Sequence, residues 1–303
     1  MSKKILITGS TGFLGTEICS QLKKRNIKAI CLFRNQKKKY ENQNIKWINS
    51  DLKISKINYD KIKSFEPECI FHLAWDKIPV FDKKTCTQNL NQSTRFLENI
   101  TKIKSIKKII ISGSCGEYHN KKGVKKENSK LDLKSHFSNS KNSLYFFSKK
   151  LCKKRGIKLA WFRIFYLYGI NQRKESLIPY IINSIKNKKK ININNPELNL
   201  DYINVTDVAN FFYKTLEISF NSGAYNLGTS KSISLKSIVE KILKITKNRN
   251  QKNIFTSSKS KNKRKKIIFT ACMKKSEKIF KIKNYKSFKY GLTEMVKFYY
   301  KLT

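Results

Sequence analysis

Short apolar runs alternate with longer stretches of helical periodicity along most of this chain. Runs at 4–8, 28–33, 45–48, 68–73, 107–112, 157–162 and 202–204 are rich in Ile, Leu, Phe and Ala. Each is short enough for a strand buried on both faces. Between them, apolar residues return one helical turn apart, as at Ile18 and Leu22, and predict helices near 15–25, 85–103, 138–154, 175–187, 206–218 and 234–246. Strand and helix in alternation predict an α/β fold, a doubly wound parallel sheet covered by helices. The stretch Lys247 to Lys266, dominated by Asn, Ser and Lys, breaks the pattern and predicts an exposed loop or insertion. Its basic run Lys259 to Lys266 reads as solvated loop, with contact to an acidic polymer as the alternative. There is no internal repeat.

With 303 residues the chain is long enough for one large core or a core plus a lobe. Hydrophobic residues at 39% and aromatics at 12% exclude disorder for its body. Charge changes the picture more: 66 Lys and Arg stand against 20 Asp and Glu, a formal net charge of +46. Those lysines run from Lys3 to Lys301, without zinc-finger spacing, a basic zipper or an RNA-binding aromatic signature. The excess therefore predicts a lysine-rich surface that draws in anionic small molecules, with no specific nucleic-acid partner. The cysteines at 19, 31, 69, 86, 115, 152 and 272 form no C-x-x-C pair, suggest no metal set, and read as reduced, mostly buried thiols of a cytoplasmic protein. Only a short apolar run follows Lys3 and Lys4, so neither a signal peptide nor a membrane span is expected.

The most specific chemistry lies at 5–15, Ile-Leu-Ile-Thr-Gly-Ser-Thr-Gly-Phe-Leu-Gly. A buried strand passes through glycines into a helix start, the order a dinucleotide site requires. Gly9 permits the tight turn, Gly12 lets backbone approach a pyrophosphate, and Gly15 allows close helix packing. Thr11, Phe13 and Leu14 share that turn, where free N–H groups and the helix dipole favour an anion. A plain αβ turn is the alternative. At the end of the second strand, Cys31-Leu-Phe-Arg34 lacks the carboxylate that binds a ribose 2′-hydroxyl. Arg34 suits a 2′-phosphate, which favours NADP with NAD as the alternative; a surface arginine is the plainer reading.

Thr8 to Gly15, Ser50-Asp-Leu52, Phe71-His-Leu-Ala74, Ser112-Gly-Ser-Cys-Gly-Glu-Tyr118, Arg163-Ile-Phe-Tyr-Leu-Tyr-Gly169, Asp201 to Val208 and Tyr225-Asn-Leu-Gly228 together resemble the extended short-chain dehydrogenase/reductase family of nucleotide-sugar epimerases, dehydratases and ketoreductases. His72 to Pro79, Gly113 to Tyr118 and Phe165 to Gln172 look most like the ketoreductases of the dTDP-6-deoxy-L-talose 4-dehydrogenase type. The resemblance implies a Rossmann-like dinucleotide domain over 1–168, with 201–228 returning to it, and a smaller C-terminal substrate lobe over 169–200 and 229–303. It also implies a nucleotide-diphosphate-sugar substrate that passes through a 4-keto species, and a homodimer through the two long helices. Asp51 and Leu52 would border the adenine, although a turn-forming Asp is nearly as good a reading, and Leu73 and Ala74 would line the cofactor. Asp201 and Asp207 read as structural, Asp207 capping or orienting the helix from Thr206 to Ile218. His72 reads as a strand histidine, not a catalyst.

Catalysis in the family needs a Ser or Thr for the substrate oxygen, a Tyr that moves its proton, and a Lys four residues on that lowers the phenol pKa and binds the nicotinamide ribose. Ser114 and Lys141 match the first and last, but Phe137 stands at the tyrosine position. Tyr145-Phe-Phe-Ser-Lys149 offers a second register, but only 14 residues separate Lys149 from Arg163, against 22 from Lys141, too few for a helix, a turn and a strand. With the phenol gone, either another group supplies the proton, Tyr118, Tyr166 or a water on Ser114, or turnover is impaired or absent. Trp75, Tyr118, Tyr166, Gln172 and Arg173 are the expected substrate residues, Arg173 as a clamp on the diphosphate or else a surface loop charge.

Overall fold

The computed structural model describes residues 3–22, 25, 27–34, 43–52, 57–193, 195–248, 255–256 and 267–301. The chain opens with β1 (Lys3–Thr8), α1 (Phe13–Leu22), β2 (Ile27–Phe33), β3 (Ile45–Asn49), α2 (Tyr59–Phe65), β4 (Cys69–His72), α3 (Lys83–Ile100) and β5 (Lys108–Ser114). There follow β6 (Gly123–Lys125), α4 (His136–Arg155), β7 (Lys158–Ile164), β8 (Tyr166–Tyr168), α5 (Leu177–Lys186), β9 (Ile191–Asn192) and β10 (Leu198–Asn204). The remainder is α6 (Val205–Glu217), β11 (Gly223–Leu227), β12 (Ser232–Ser234), α7 (Leu235–Ile245), β13 (Phe255–Thr256), β14 (Ile267–Ala271), α8 (Lys274–Phe280) and α9 (Phe288–Tyr300).

Seven strands form one parallel sheet in the order β11-β7-β5-β4-β1-β2-β3. Its pleat sorts the apolar runs onto two faces. Ile5, Ile7, Phe71 and Ile110 meet Ile18 of α1 and Phe212 of α6. Leu6, Ile70, Ile109 and Ile111 meet Phe96 of α3 and Leu144 of α4. A chain leaving β1 turns one way to β2 and β3 and then crosses back to β4, so β1 and β4 flank the switch point, where doubly wound sheets bind ligands.

The expected strand 202–204 is the end of β10 and lies outside this sheet. It belongs to a smaller one, ordered β12-β10-β14-β6, with β8 alongside β10. The seventh place goes to β11, which pairs with β7 from Gly223 opposite Ala160 to Leu227 opposite Ile164. Gly-Ala-Tyr-Asn-Leu holds no β-branched residue, so it carries little strand signal of its own; burial of all five residues makes it a strand.

Asp201 ties the smaller sheet to the turn after β11: its carboxylate accepts from Thr229 N and Oγ1, Ser230 N and Ala271 N at 2.7–3.1 Å. Asp207 is not the cap of α6. Asn204 is, accepting from Thr206 N at 3.0 Å, while Asp207 accepts from Lys286 N at 3.0 Å. Within the expected loop 247–266, Phe255–Thr256 pairs with β9, and the basic run Lys259–Lys266 lies outside the described residues. All seven cysteines are free thiols, six buried and Cys272 partly exposed. Among the described residues no helix is long and apolar enough to cross a membrane.

Candidate functional site

The glycine turn brings the exits of β1 and β4 into contact. Gly9 sits at φ 69°, and a Cβ there would lie 2.8 Å from Ala74 N and 2.9 Å from Leu73 C. Gly15 is held against the same turn, where a Cβ would come 2.7 Å from Ser10 Cα. Gly12 N donates to Gly9 O at 3.0 Å and Thr16 N to Gly12 O at 2.8 Å, which starts α1 two residues earlier than its periodicity suggests. The N–H groups of Phe13, Leu14 and Gly15 then have no acceptor within the helix, the condition for holding a phosphate.

Beyond this turn lies a groove of about 290 Å³, lined by Gly9, Thr11 and Gly12, by Arg34 after β2, by Ser50, Asp51 and Leu52 after β3, and by Leu73 to Asp76 after β4. Two buried polar atoms in its wall, Ser50 Oγ and Trp75 Nε1, have no hydrogen-bond partner among the described residues. An unpaired buried polar atom is costly, so both suit a polar ligand such as a dinucleotide. Of the expected cofactor residues, Leu14 joins the core instead, and Phe13 lies by Gly169, where a Cβ would come 3.6 Å from its Cζ. His72 is structural. Its Nδ1 is 2.8 Å from Thr8 Oγ1, its ring stacks on Phe96, and burial lowers its pKa to about 3.

Trp75, in the wall of the groove, touches α4 through Phe137 and Lys141. Ser135 caps this helix, its side chain accepting from Ser138 N, and Gly156 ends it in the left-handed conformation at φ 67°. Ser114 ends β5 and accepts from Gly116 N at 3.0 Å, so its hydroxyl hydrogen remains for another acceptor. Lys141 is 4% exposed, donates to Ser112 O at 3.0 Å, and lies 3.9 Å from the centre of the Trp75 ring. Burial lowers its pKa to about 8, opposed by the Glu117 charge. One turn earlier, Phe137 meets Trp75 edge-on at 5.7 Å and Phe81 at 4.6 Å between centroids. The second register does not converge, since Tyr145 packs on Trp161 and Lys149 is exposed.

Lys141 costs the fold stability while it is charged. Its folded pKa of about 8 lies below the ordinary 10.5, so the penalty is complete below about 8, and stability rises with pH through the window between the two values. Lys141→Met should gain about 2 kcal/mol at neutral pH and lose that alkaline rise. Urea midpoints on either side of the window measure both, and a less stable variant at neutral pH would refute the penalty.

Beneath Ser114 lies a buried ion pair. Glu117, 0% exposed, accepts from Ser114 N at 2.7 Å, Trp161 Nε1 at 3.0 Å and Arg163 Nε at 2.8 Å. Gly113 makes room for it: a Cβ there would lie 2.6 Å from the Glu117 carboxylate. Tyr118 stays out of the groove, 1% exposed with its hydroxyl donating to Asn226 at 2.6 Å, and burial raises its pKa. Tyr166 packs on Tyr202. Gln172 serves the loop, donating to Leu167 O at 3.0 Å. Arg173 donates to Ile78 O, on the segment that carries Trp75 and Phe81. Asp76, Asn89 and Phe81 were missed as site residues, although Asp76 directly follows Leu73-Ala-Trp75.

Comparison with known proteins is consistent with this geometry. Residues 5–228 match the NAD dependent epimerase/dehydratase family. CDP-abequose synthase of Salmonella muenchen is 29% identical over 81% of this chain and 82% of its own. Escherichia coli dTDP-4-dehydro-6-deoxyglucose reductase is 26% identical over 78% and 80%. Among solved structures, dTDP-glucose 4,6-dehydratase of Bacillus anthracis superposes with a TM-score of 0.84 at 21% identity, over 99% of this chain and 97% of that one. UDP-N-acetylglucosamine 4-epimerase of Methanobrevibacter ruminantium gives 0.83 at 22%, over 100% and 99%.

Proposed function

Because the chain belongs to the NAD dependent epimerase/dehydratase family, we propose that it reduces the 4-keto group of a nucleotide-linked deoxysugar, with a nicotinamide dinucleotide in the groove beside the glycine turn. The observation that carries this reading is Lys141, buried against Ser112 O under the groove-lining Trp75, at the end of β5 that carries Ser114. The nicotinamide, when bound, supplies the hydride. The first turn of α1 receives the pyrophosphate, Asp51 and Leu52 border the adenine, and Arg34 contacts a 2′-phosphate, which favours NADP. Lys141 binds the nicotinamide ribose.

Ser114 donates its free hydroxyl hydrogen to the sugar oxygen, and Trp75 forms a wall of the sugar site. Arg173 exchanges the Ile78 carbonyl for the substrate diphosphate. Phe137 has no proton to give and Tyr118 is committed to Asn226, which leaves Ser114, the Lys141 ammonium and Tyr166 as the proton-bearing candidates. Pairing into a homodimer across α3 and α4 belongs to the same reading.

Incubating the protein with NADPH and CDP- or dTDP-linked 4-keto-6-deoxyhexoses should consume the reduced-nicotinamide absorbance. No consumption with any 4-keto nucleotide sugar would refute the reading. Phe137, packed between Trp75 and Phe81, favours a second one: a dinucleotide-binding protein with impaired or absent turnover.

A further inference from the structure

The groove holds a charge arrangement that the glycine turn does not explain. Arg34 Nη2 lies 2.7 Å from Asp76 Oδ1, with the Arg34 side chain 46% exposed and that of Asp76 18%. Asp51 lines the same groove, and its charge acts on Arg34 together with that of Asp76. Among the described residues, then, two carboxylates and one guanidinium line the groove.

Asp76 is placed by its backbone. Its N–H donates to Asn89 Oδ1 at 2.6 Å, and Asn89 Nδ2 donates back to Asp76 O at 3.2 Å and to Thr85 O at 2.9 Å. Asn89 is 4% exposed on α3, so the clamp is fixed in the core and does not depend on the Asp76 side chain.

We propose that Asp76 is a specificity-determining residue for the 2′ position of the dinucleotide: its carboxylate holds Arg34 in an ion pair that a 2′-hydroxyl leaves intact and a 2′-phosphate must break. The proposal rests on the reading of the groove as a nicotinamide-dinucleotide site. A phosphate approaching Arg34 meets the carboxylate already seated there, and two anions a few Å apart at a half-exposed site repel by about 1 kcal/mol or more. Arg34 attracts the phosphate and Asp76 opposes it, so the balance between NADP and NAD is set by this pair and not by Arg34 alone.

Asp76→Asn removes the charge, keeps the shape and leaves the Asn89 clamp untouched. Direct titration of NADPH and NADH against the purified protein, followed by nicotinamide fluorescence, gives both affinities without turnover. Asp76→Asn should tighten NADPH about five- to tenfold and leave NADH unchanged or weaker. Equal changes for both cofactors would mean that Asp76 only supports the segment, and weaker NADPH binding would mean that it orients Arg34 for the phosphate. Either result overturns the proposal. If the wild-type protein binds neither dinucleotide, the reading of the groove itself falls, and a thermal melt of the variant separates both cases from misfolding.

Discussion

Phe137→Tyr should raise turnover of a 4-keto nucleotide sugar by about a hundredfold or more. A positioned general acid is worth about 10²–10⁴ in rate, and in the proposed reading Phe137 stands where that phenol would be. The structure keeps the surroundings of such an acid. Phe137 lies one helical turn before Lys141 on α4, against Trp75 and beside Gly116, where a Cβ would come 3.2 Å from its ring. Lys141, buried and with its pKa near 8, would hold a neighbouring phenol below its usual value of about 10, because a positive charge favours the phenolate. The measurement is kcat by NADPH consumption across pH for both proteins. An unchanged kcat would show that a phenol at position 137 adds nothing to the groups that already move the proton.

Glu117→Ala should cost about 3 kcal/mol of stability and reduce activity as well. Glu117 is fully buried, and its removal strands the Arg163 guanidinium, itself 1% exposed. Breaking one side of a buried pair costs about 3–5 kcal/mol because the remaining charge is uncompensated. The lower end applies, since Arg163 Nη1 still donates to Glu127 O at 2.8 Å. A loss of that size is a large share of the roughly 5–15 kcal/mol by which domains are stable. It reaches the site because the same carboxylate accepts from Ser114 N at 2.7 Å and so fixes the end of β5. Urea unfolding measures the cost, and a loss below about 1 kcal/mol would mean that Arg163 finds another partner.

Much of this fold was legible because its strands are long apolar runs and its helices are periodic. The exceptions follow from physics that a linear pattern does not carry. Strand β11 is fixed by burial between neighbours and not by β-branched residues, while 202–204 has the composition of a main-sheet strand but pairs within the smaller sheet. Helix α6 begins at Val205, one residue before the pattern suggests, so Asn204 is its cap and Asp207, inside the first turn, accepts from Lys286 N instead.

The site divides in the same way. The glycine turn, Arg34, Asp51 and Leu73-Ala74 lie next to one another in the groove because each follows a strand of one parallel sheet, a relation the strand order makes readable. Tyr118 follows Ser114 by only four residues but does not share its site. The 3-10 turn over Cys115–Glu117 carries its ring away into the core. The Asp76 partnership with Arg34 spans two strand ends 42 residues apart and appears only once the sheet is assembled.

Hydride transfer to a sugar carbon is tested most directly with an isotope. NADPH deuterated at the transferring position of nicotinamide C4 would be incubated with the protein and a dTDP- or CDP-linked 4-keto-6-deoxyhexose, and the nucleotide sugar recovered and weighed by mass spectrometry. The expected product is one mass unit heavier than that formed with ordinary NADPH, with deuterium on ring carbon 4. Recovery of the unreduced keto sugar with the deuterium still on the nicotinamide would contradict catalysis, even if the groove binds the dinucleotide.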